Sequence, residues 1–119
     1  MATHEVTDGN FRETYTDNDI VVLDFWATWC GPCQNFKPVF EKVSEQHSDL
    51  FFGTVETDQE QKLSAYFHIR SIPSIVIIRE GMEIFRHSGS LNEAQMAQAI
   101  EQVKGLDMEE VKREHDAAE

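Results

Sequence analysis

The sequence predicts an α/β domain in which a central mixed five-stranded sheet is flanked by about four helices. Its 119 residues are enough for one hydrophobic core that needs no disulfide to fold. Segments with the pattern of strands alternate with segments of helical spacing, and the last two strand segments meet at a tight turn. Because alternation favours parallel strands and a hairpin gives antiparallel ones, the sheet is expected to be mixed.

The first half of the chain predicts two strands and two helices. A short strand and helix are expected within residues 6–15. Residues 20–26 predict a strand buried on both faces, because they are apolar except at Asp24. Residues 33–46 predict a helix, because apolar residues recur there at helical spacing. These residues are Phe36, Val39, Phe40 and Val43.

The second half predicts three strands and two helices. Residues 50–55 have the pattern of a strand, and residues 58–68 that of a short helix with its apolar side inward. Residues 75–79 and 83–87 predict the two strands of a hairpin, joined by a Glu-Gly turn. A last helix is expected over residues 92–104.

Capping signals define the ends of the last helix. Asn92 is a favourable N-cap and Gln95 completes a capping box, while glycine at position 105 is a suitable stop. We therefore divide the chain into a domain over residues 1–105 and an acidic extension over residues 106–119. The extension could be partly helical, but we expect it to fray beyond about Val111 because it has few apolar residues to bury.

Composition argues against several classes of function. The chain has 10 Lys and Arg against 22 Asp and Glu, a net charge of −12, which disfavours nucleic acids and anionic membranes as partners. Its five histidines are scattered, so no metal site is expected. The N-terminal residues lack the basic and apolar segments of a secretory signal, and no apolar run could span a bilayer. We therefore expect a cytoplasmic protein.

The two cysteines of the chain, Cys30 and Cys33, enclose Gly31-Pro32 at the start of the second predicted helix. A thiol there faces unpaired N–H groups and the positive end of the helix dipole, which favour the thiolate. This predicts Cys30 as the nucleophile of thiol–disulfide exchange and Cys33, one turn into the helix, as the resolving thiol. A disulfide across so short a loop stabilises a fold little, so the pair is predicted to be redox-active.

Asp24 interrupts an otherwise apolar strand. Burial penalises the charged form of a carboxyl group, so its pKa should be raised. A carboxyl group of this kind could take a proton from Cys33 at neutral pH. The alternative is an aspartate whose hydrogen bonds are satisfied at the end of the strand.

Together these residues resemble the thioredoxin family. Residues 22–33, Val-Leu-Asp-Phe-Trp-Ala-Thr-Trp-Cys-Gly-Pro-Cys, match its active-site strand and turn, and Ile72-Pro73-Ser74 is similar to its Ile-Pro-Thr element. The similarity covers residues 6–104 and implies the thioredoxin fold and a protein-disulfide reductase. It also implies a redox-active Cys30–Cys33 disulfide, no bound cofactor, and re-reduction by an NADPH-dependent thioredoxin reductase.

The resemblance also assigns roles around the cysteines. It implies that Asp24 takes the proton of Cys33, and that Gly31 and Pro32 shape the turn of a reductant. It implies a cis peptide bond before Pro73, which would face the cysteines, although a trans proline opening a strand is the alternative. It further implies an apolar surface that docks substrate. The residues of this surface are Trp29, Gly31, Pro32, Ile72 and Gly89.

Several residues depart from the family pattern. Thr54 stands where similar proteins usually have a lysine near the carboxylate, which should favour the neutral acid further. Polar or unusual residues also stand at four positions that bear on the choice of partner. These are Gln34, Thr57, Ser71 and Ser88.

The leading hypothesis is a monomeric reductase of protein disulfides. A second is a binding or regulatory module in which redox turnover is incidental, supported by the acidic extension and the polar replacements. A third is an oxidase or isomerase running the same exchange in reverse. Turnover with NADPH and thioredoxin reductase, abolished by Cys30→Ser, would distinguish the first from the second.

Overall fold

The computed structural model describes residues 2–118, which contain five strands and five helices. The strands are β1 (Thr3–Glu5), β2 (Ile20–Trp26), β3 (Phe51–Glu56), β4 (Ser74–Arg79) and β5 (Met82–Ser88). The helices are α1 (Phe11–Asp17), α2 (Gly31–Gln46), α3 (Gln61–Tyr66), α4 (Glu93–Lys104) and α5 (Met108–Ala118). Within the described chain, no helix has the length and apolar character needed to cross a membrane.

The strands form one mixed sheet in the order β1-β3-β2-β4-β5. Strands β1 and β2 both run parallel to β3, whereas β4 is antiparallel to β2 and to β5. The central place of β2 explains why its sequence is almost wholly apolar, because both of its faces are covered. This architecture confirms the predicted fold class.

Side chains of β2 alternate between two hydrophobic cores, one on each face of the sheet. Val22 belongs to the core that contains residues of α2 and α4, such as Phe40 and Ile100. Leu23 belongs to the opposite core, which includes Phe67. Asp24, two residues after Val22, therefore points to the side of the sheet that α2 covers.

Most predicted elements are confirmed, with shifted ends. The N-terminal strand lies at residues 3–5, before the segment in which we expected it, because pairing with β3 starts at Thr3. Helix α3 is shorter than predicted, since residues 57–59 form a turn. The capping box at Asn92 is present as expected. Positive φ angles at Glu80 and Gly81 form the tight turn between β4 and β5.

Helix α5 continues to Ala118, beyond Val111 where we expected the extension to fray, in line with the helical alternative. The Asp107 carboxylate accepts from the N–H groups of Glu109 and Glu110, which caps the helix. Met108 is buried, and Lys112 pairs with Glu80 at 2.5 Å. The burial of Met108 and the ion pair of Lys112 with the hairpin turn connect the helix to the domain. The division of the chain at residue 105 stays a prediction.

Arg79, at the end of β4, links the two C-terminal helices. Its Nη1 donates to the carbonyl oxygens of Val103 at 2.8 Å, Lys104 at 3.2 Å and Leu106 at 3.2 Å. These carbonyls lie at the end of α4 and in the connection to α5, where the helix leaves its last carbonyls without partners. A guanidinium also complements the negative end of the helix dipole.

We expect Arg79→Gln to lower the free energy of unfolding by about 2 kcal/mol, because hydrogen bonds from a charged group to partly buried carbonyls are lost. Amide hydrogens of α5 should exchange faster than in the parent, which mass spectrometry can measure. Arg12→Gln, an exposed charge change on α1, serves as the control. Unchanged exchange in α5 would show that Arg79 does not hold this helix.

Candidate functional site

The two cysteines lie at the N-terminus of α2, where a disulfide joins them. Cys30 is the N-cap residue, and its Sγ accepts from the N–H of Cys33 at 3.2 Å. Gly31 begins the helix, and Pro32 stands in its first turn, where a missing N–H leaves no hydrogen bond unmade. Cys30 is 4% exposed and Cys33 2%. The helix terminus thus stabilises negative charge on the sulfur of Cys30.

The segment before β4 packs against the cysteines. The Ile72–Pro73 bond is cis, as the sequence resemblance implies. The carbonyl oxygen of Ile72 lies 3.8 Å from Cys30 Sγ, although 42 residues separate them along the chain. Ile72 also packs against the small buried cluster formed by Ala27 and the two cysteines.

Gly89 lies beside this segment at the end of β5. Its N–H donates to the carbonyl oxygen of Pro73 at 2.8 Å. Its φ angle of 102° lies in the region that side chains rarely adopt, so glycine suits this position. The fold therefore brings Ile72 next to Cys30 and Gly89 next to Pro73, the residue that follows Ile72.

Trp29 is 70% exposed and precedes Cys30 directly. Its indole Nε1 donates to Oδ2 of Asp58 at 2.9 Å. Asp58 lies in the loop after β3, and this hydrogen bond fixes the orientation of the indole ring. Trp26, by contrast, is half-buried beside the cysteine cluster. The sequence analysis did not assign this role to Asp58, because 29 residues separate it from Trp29.

Asp24 lies on the central strand and is 4% exposed. Within the part of the chain that the structure describes, its Oδ1 has no hydrogen-bond partner. The alternative of a carboxylate satisfied at the strand end is therefore not supported. Burial raises the pKa of Asp24 from 3.8 to about 7. Near neutral pH this group can therefore both accept and release a proton.

A cavity of about 310 Å³ lies beside Asp24 and one of the two cysteines. Both Asp24 and Cys33 line it, between strand β1 and helix α2. Its remaining lining residues are Thr3, His4, Glu5, Trp26, Gln34, Lys37, Phe40, Glu41 and Thr54. A carboxyl group whose pKa is raised to about 7 therefore lines the same cavity as the buried Cys33.

The described residues contain no group of three or more His, Cys, Asp or Glu side chains that could hold a metal ion. The site contains a disulfide with one sulfur at a helix terminus. An exposed tryptophan and a backbone carbonyl lie next to this sulfur. This arrangement suits exchange with a disulfide of another molecule.

Comparisons with known proteins agree with this geometry. The Thioredoxin family model matches residues 2–102. The chain is 46% identical over 112 residues to "Putative thioredoxin 2" of Streptomyces coelicolor, covering 94% of this chain and 84% of that protein. It is 35% identical over 99 residues to "Thioredoxin C-3" of Corynebacterium nephridii, covering 82% of this chain and 68% of that protein.

Solved structures show the same likeness. A point mutant of a thioredoxin from Halobacterium salinarum superposes with a TM-score of 0.81 at 30% identity, covering 87% of this chain and 92% of that one. The thioredoxin of Malassezia sympodialis superposes with a TM-score of 0.76 at 32% identity. The match covers 84% of this chain and 89% of that one. Thioredoxins carry out their exchange chemistry with a redox-active disulfide and no bound cofactor. The chain therefore belongs to the thioredoxin family and is a thiol–disulfide oxidoreductase.

Proposed function

We propose that this protein reduces disulfides of cytoplasmic proteins, with Cys30 as nucleophile, Cys33 as resolving thiol and Asp24 as the proton-transfer group. The observation that carries the proposal is the position of Cys30 as N-cap of α2, beside the carbonyl of Ile72. A binding module with incidental turnover is not favoured, because the redox pair is intact.

The first step is attack by the Cys30 thiolate on a substrate disulfide. One substrate S–S bond breaks, a mixed disulfide forms, and the departing substrate sulfur takes up a proton. The N–H of Cys33, which points at Cys30 Sγ, stabilises the attacking anion. Cys30 directly follows Trp29, which is exposed and available to a substrate.

The second step is attack by Cys33 on the mixed disulfide. Cys33 gives up its proton to the Asp24 carboxylate and attacks the sulfur of Cys30. The bond between Cys30 and the substrate breaks as the Cys30–Cys33 disulfide forms, and the departing substrate sulfur takes up a proton from water, so the substrate leaves as a dithiol. The substrate gains two electrons and the protein loses two. Asp24 is suited to this step because it shares a cavity with Cys33 and has a pKa of about 7.

Substrate is held by the surface around Cys30. Trp29, Ile72 and Gly89 form its apolar part, and Gly31, Pro32 and Pro73 give it its shape. The backbone of Ile72 pairs with an extended substrate segment, as an added strand does, and the position of its carbonyl oxygen 3.8 Å from Cys30 Sγ supports this role. The electrons come from NADPH through thioredoxin reductase, so the protein takes part in electron transport. We propose that it acts as a monomer.

Replacing Cys33 by serine tests these roles. Without a resolving thiol, the mixed disulfide formed by Cys30 persists, so substrates should accumulate covalently bound to the variant. Mass spectrometry after non-reducing electrophoresis identifies them. The matched control is the double variant Cys30→Ser/Cys33→Ser, which should trap nothing. If the single variant captures no protein from mildly oxidised extracts, the assignment of the two cysteines is wrong.

A further inference from the structure

Two oppositely charged groups without partners share the cavity beside the cysteines. Asp24 lines it from β2, and its Oδ1 has no hydrogen bond in the described residues. Lys37 lines it from α2, and its ammonium makes no ion pair with a carboxylate of residues 2–118. The cavity, about 310 Å³, is roomy enough for the ammonium group to enter.

We propose that Lys37 is a positioning residue for proton transfer, whose ammonium enters the cavity and pairs with the Asp24 carboxylate whenever that carboxyl group ionises. The inference rests on the proposed role of Asp24 in the second step of the exchange.

The geometry favours Lys37 as this counter-ion. It follows Cys33 by four residues on α2, so both side chains project from the same face of the helix. Asp24 is paired in register with Thr54 on β3, so both point toward that helix face. Because Thr54 carries no charge, the sheet itself supplies no cation next to Asp24. The four-carbon stem of lysine can carry its ammonium from solvent into the cavity.

Other charged or titratable groups also face this cavity. Helix α2 contributes Glu41 and strand β1 contributes His4 and Glu5. The two glutamates disfavour ionisation of Asp24, and Glu41 competes for the Lys37 ammonium because it lies four residues further along the helix. Lys37 supplies the permanent positive charge among the residues that line the cavity. It is therefore the group that can balance an ionised Asp24.

Pairing with Lys37 changes the fraction of molecules in which Asp24 is ionised and can accept a proton. Burial alone holds the pKa of Asp24 at about 7. A paired ammonium favours the carboxylate, the form that accepts the proton of Cys33. The lysine therefore raises the fraction of molecules ready for the resolving step, and it does so without contact with the sulfur atoms.

The test is an NMR titration of the Asp24 carboxyl carbon in the oxidised protein, where the cysteines do not titrate. We expect Lys37→Gln to raise the pKa of Asp24 by roughly half a unit to one unit, since a solvated cation near a carboxyl group has an effect of about this size. Lys37→Arg keeps the charge and should stay within about 0.2 units of the parent. Glu41→Gln should shift the pKa in the opposite direction to Lys37→Gln.

Lys42→Gln is the matched control, because it removes an exposed lysine from the same helix but does not line the cavity. An Asp24 titration that is the same in Lys37→Gln and the parent would overturn the inference. So would an equal shift in Lys42→Gln, which would indicate net charge alone. Because the titration needs no turnover, its outcome is distinguishable from failure of the Cys33→Ser trapping experiment, which tests the proposed function itself.

Discussion

Cys30→Ser is expected to slow the reduction of a model disulfide protein by at least about 10³-fold, because Cys30 is the proposed nucleophile and loss of a catalytic nucleophile has effects of this size or larger. A serine hydroxyl at the same position remains protonated at neutral pH and cannot attack a disulfide sulfur. The measurement is NADPH consumption in the presence of thioredoxin reductase, the variant and the disulfide substrate.

A loss of activity in Cys30→Ser must be distinguished from a loss of the folded structure. Serine is close to cysteine in size, so the reduced parent and the variant should unfold at similar denaturant concentrations. A variant that is folded and inactive supports Cys30 as the nucleophile. Turnover within tenfold of the parent would mean that Cys33 can attack substrate, although the N-terminus of α2 stabilises the anion at Cys30.

Asp24→Asn is expected to stabilise the oxidised protein increasingly as the pH rises. Burial raises the pKa of Asp24 from 3.8 to about 7 in the folded state. The native protein therefore binds the proton more tightly than the unfolded chain, and ionisation of Asp24 favours unfolding. The shift corresponds to about 4 kcal/mol, a penalty that asparagine avoids because it has no charged form.

The pH dependence of this effect has a definite sign. Below the unfolded pKa of 3.8 the carboxyl group is neutral in both states, so the penalty is absent. It grows between that pH and the folded value of about 7, and above that value it is complete. Denaturant titrations of parent and variant at about pH 3 and about pH 8 should give differences near zero and near 4 kcal/mol, respectively. Equal differences at both pH values would show that Asp24 ionises freely in the folded protein.

Local pattern was sufficient to predict most of the fold. The apolar run of β2 and the capping box at Asn92 depend on neighbouring residues, so the sequence displays them directly. The sequence left open whether the C-terminal extension is helical, because the order of α5 depends on distant partners. Lys112 needs Glu80 of the hairpin turn, and Arg79 reaches the carbonyls before the helix only once the sheet is formed.

In the candidate site, too, some features follow from residues close together in the sequence and others from contacts between distant elements. Cys30, Cys33 and Asp24 lie within ten residues in one motif, so their chemistry could be inferred from spacing and burial. The contact of Trp29 with Asp58 and the place of Lys37 in the cavity could not, because each joins elements that meet only in three dimensions. Both features lie in the surroundings of the sulfur atoms. A short sequence motif does not show which residues from elsewhere in the chain meet there.

Strand β4 begins at Ser74, beside the cis proline, and ends at Arg79, which holds the C-terminal helices. The disulfide therefore lies near the first residue of β4 and helix α5 near its last, so the length of that strand separates them. Immobilising the protein through an exposed position on α5, such as Glu114, would leave the redox face directed toward solution. An affinity matrix prepared in this way could present Cys30 to large folded substrates without obstruction.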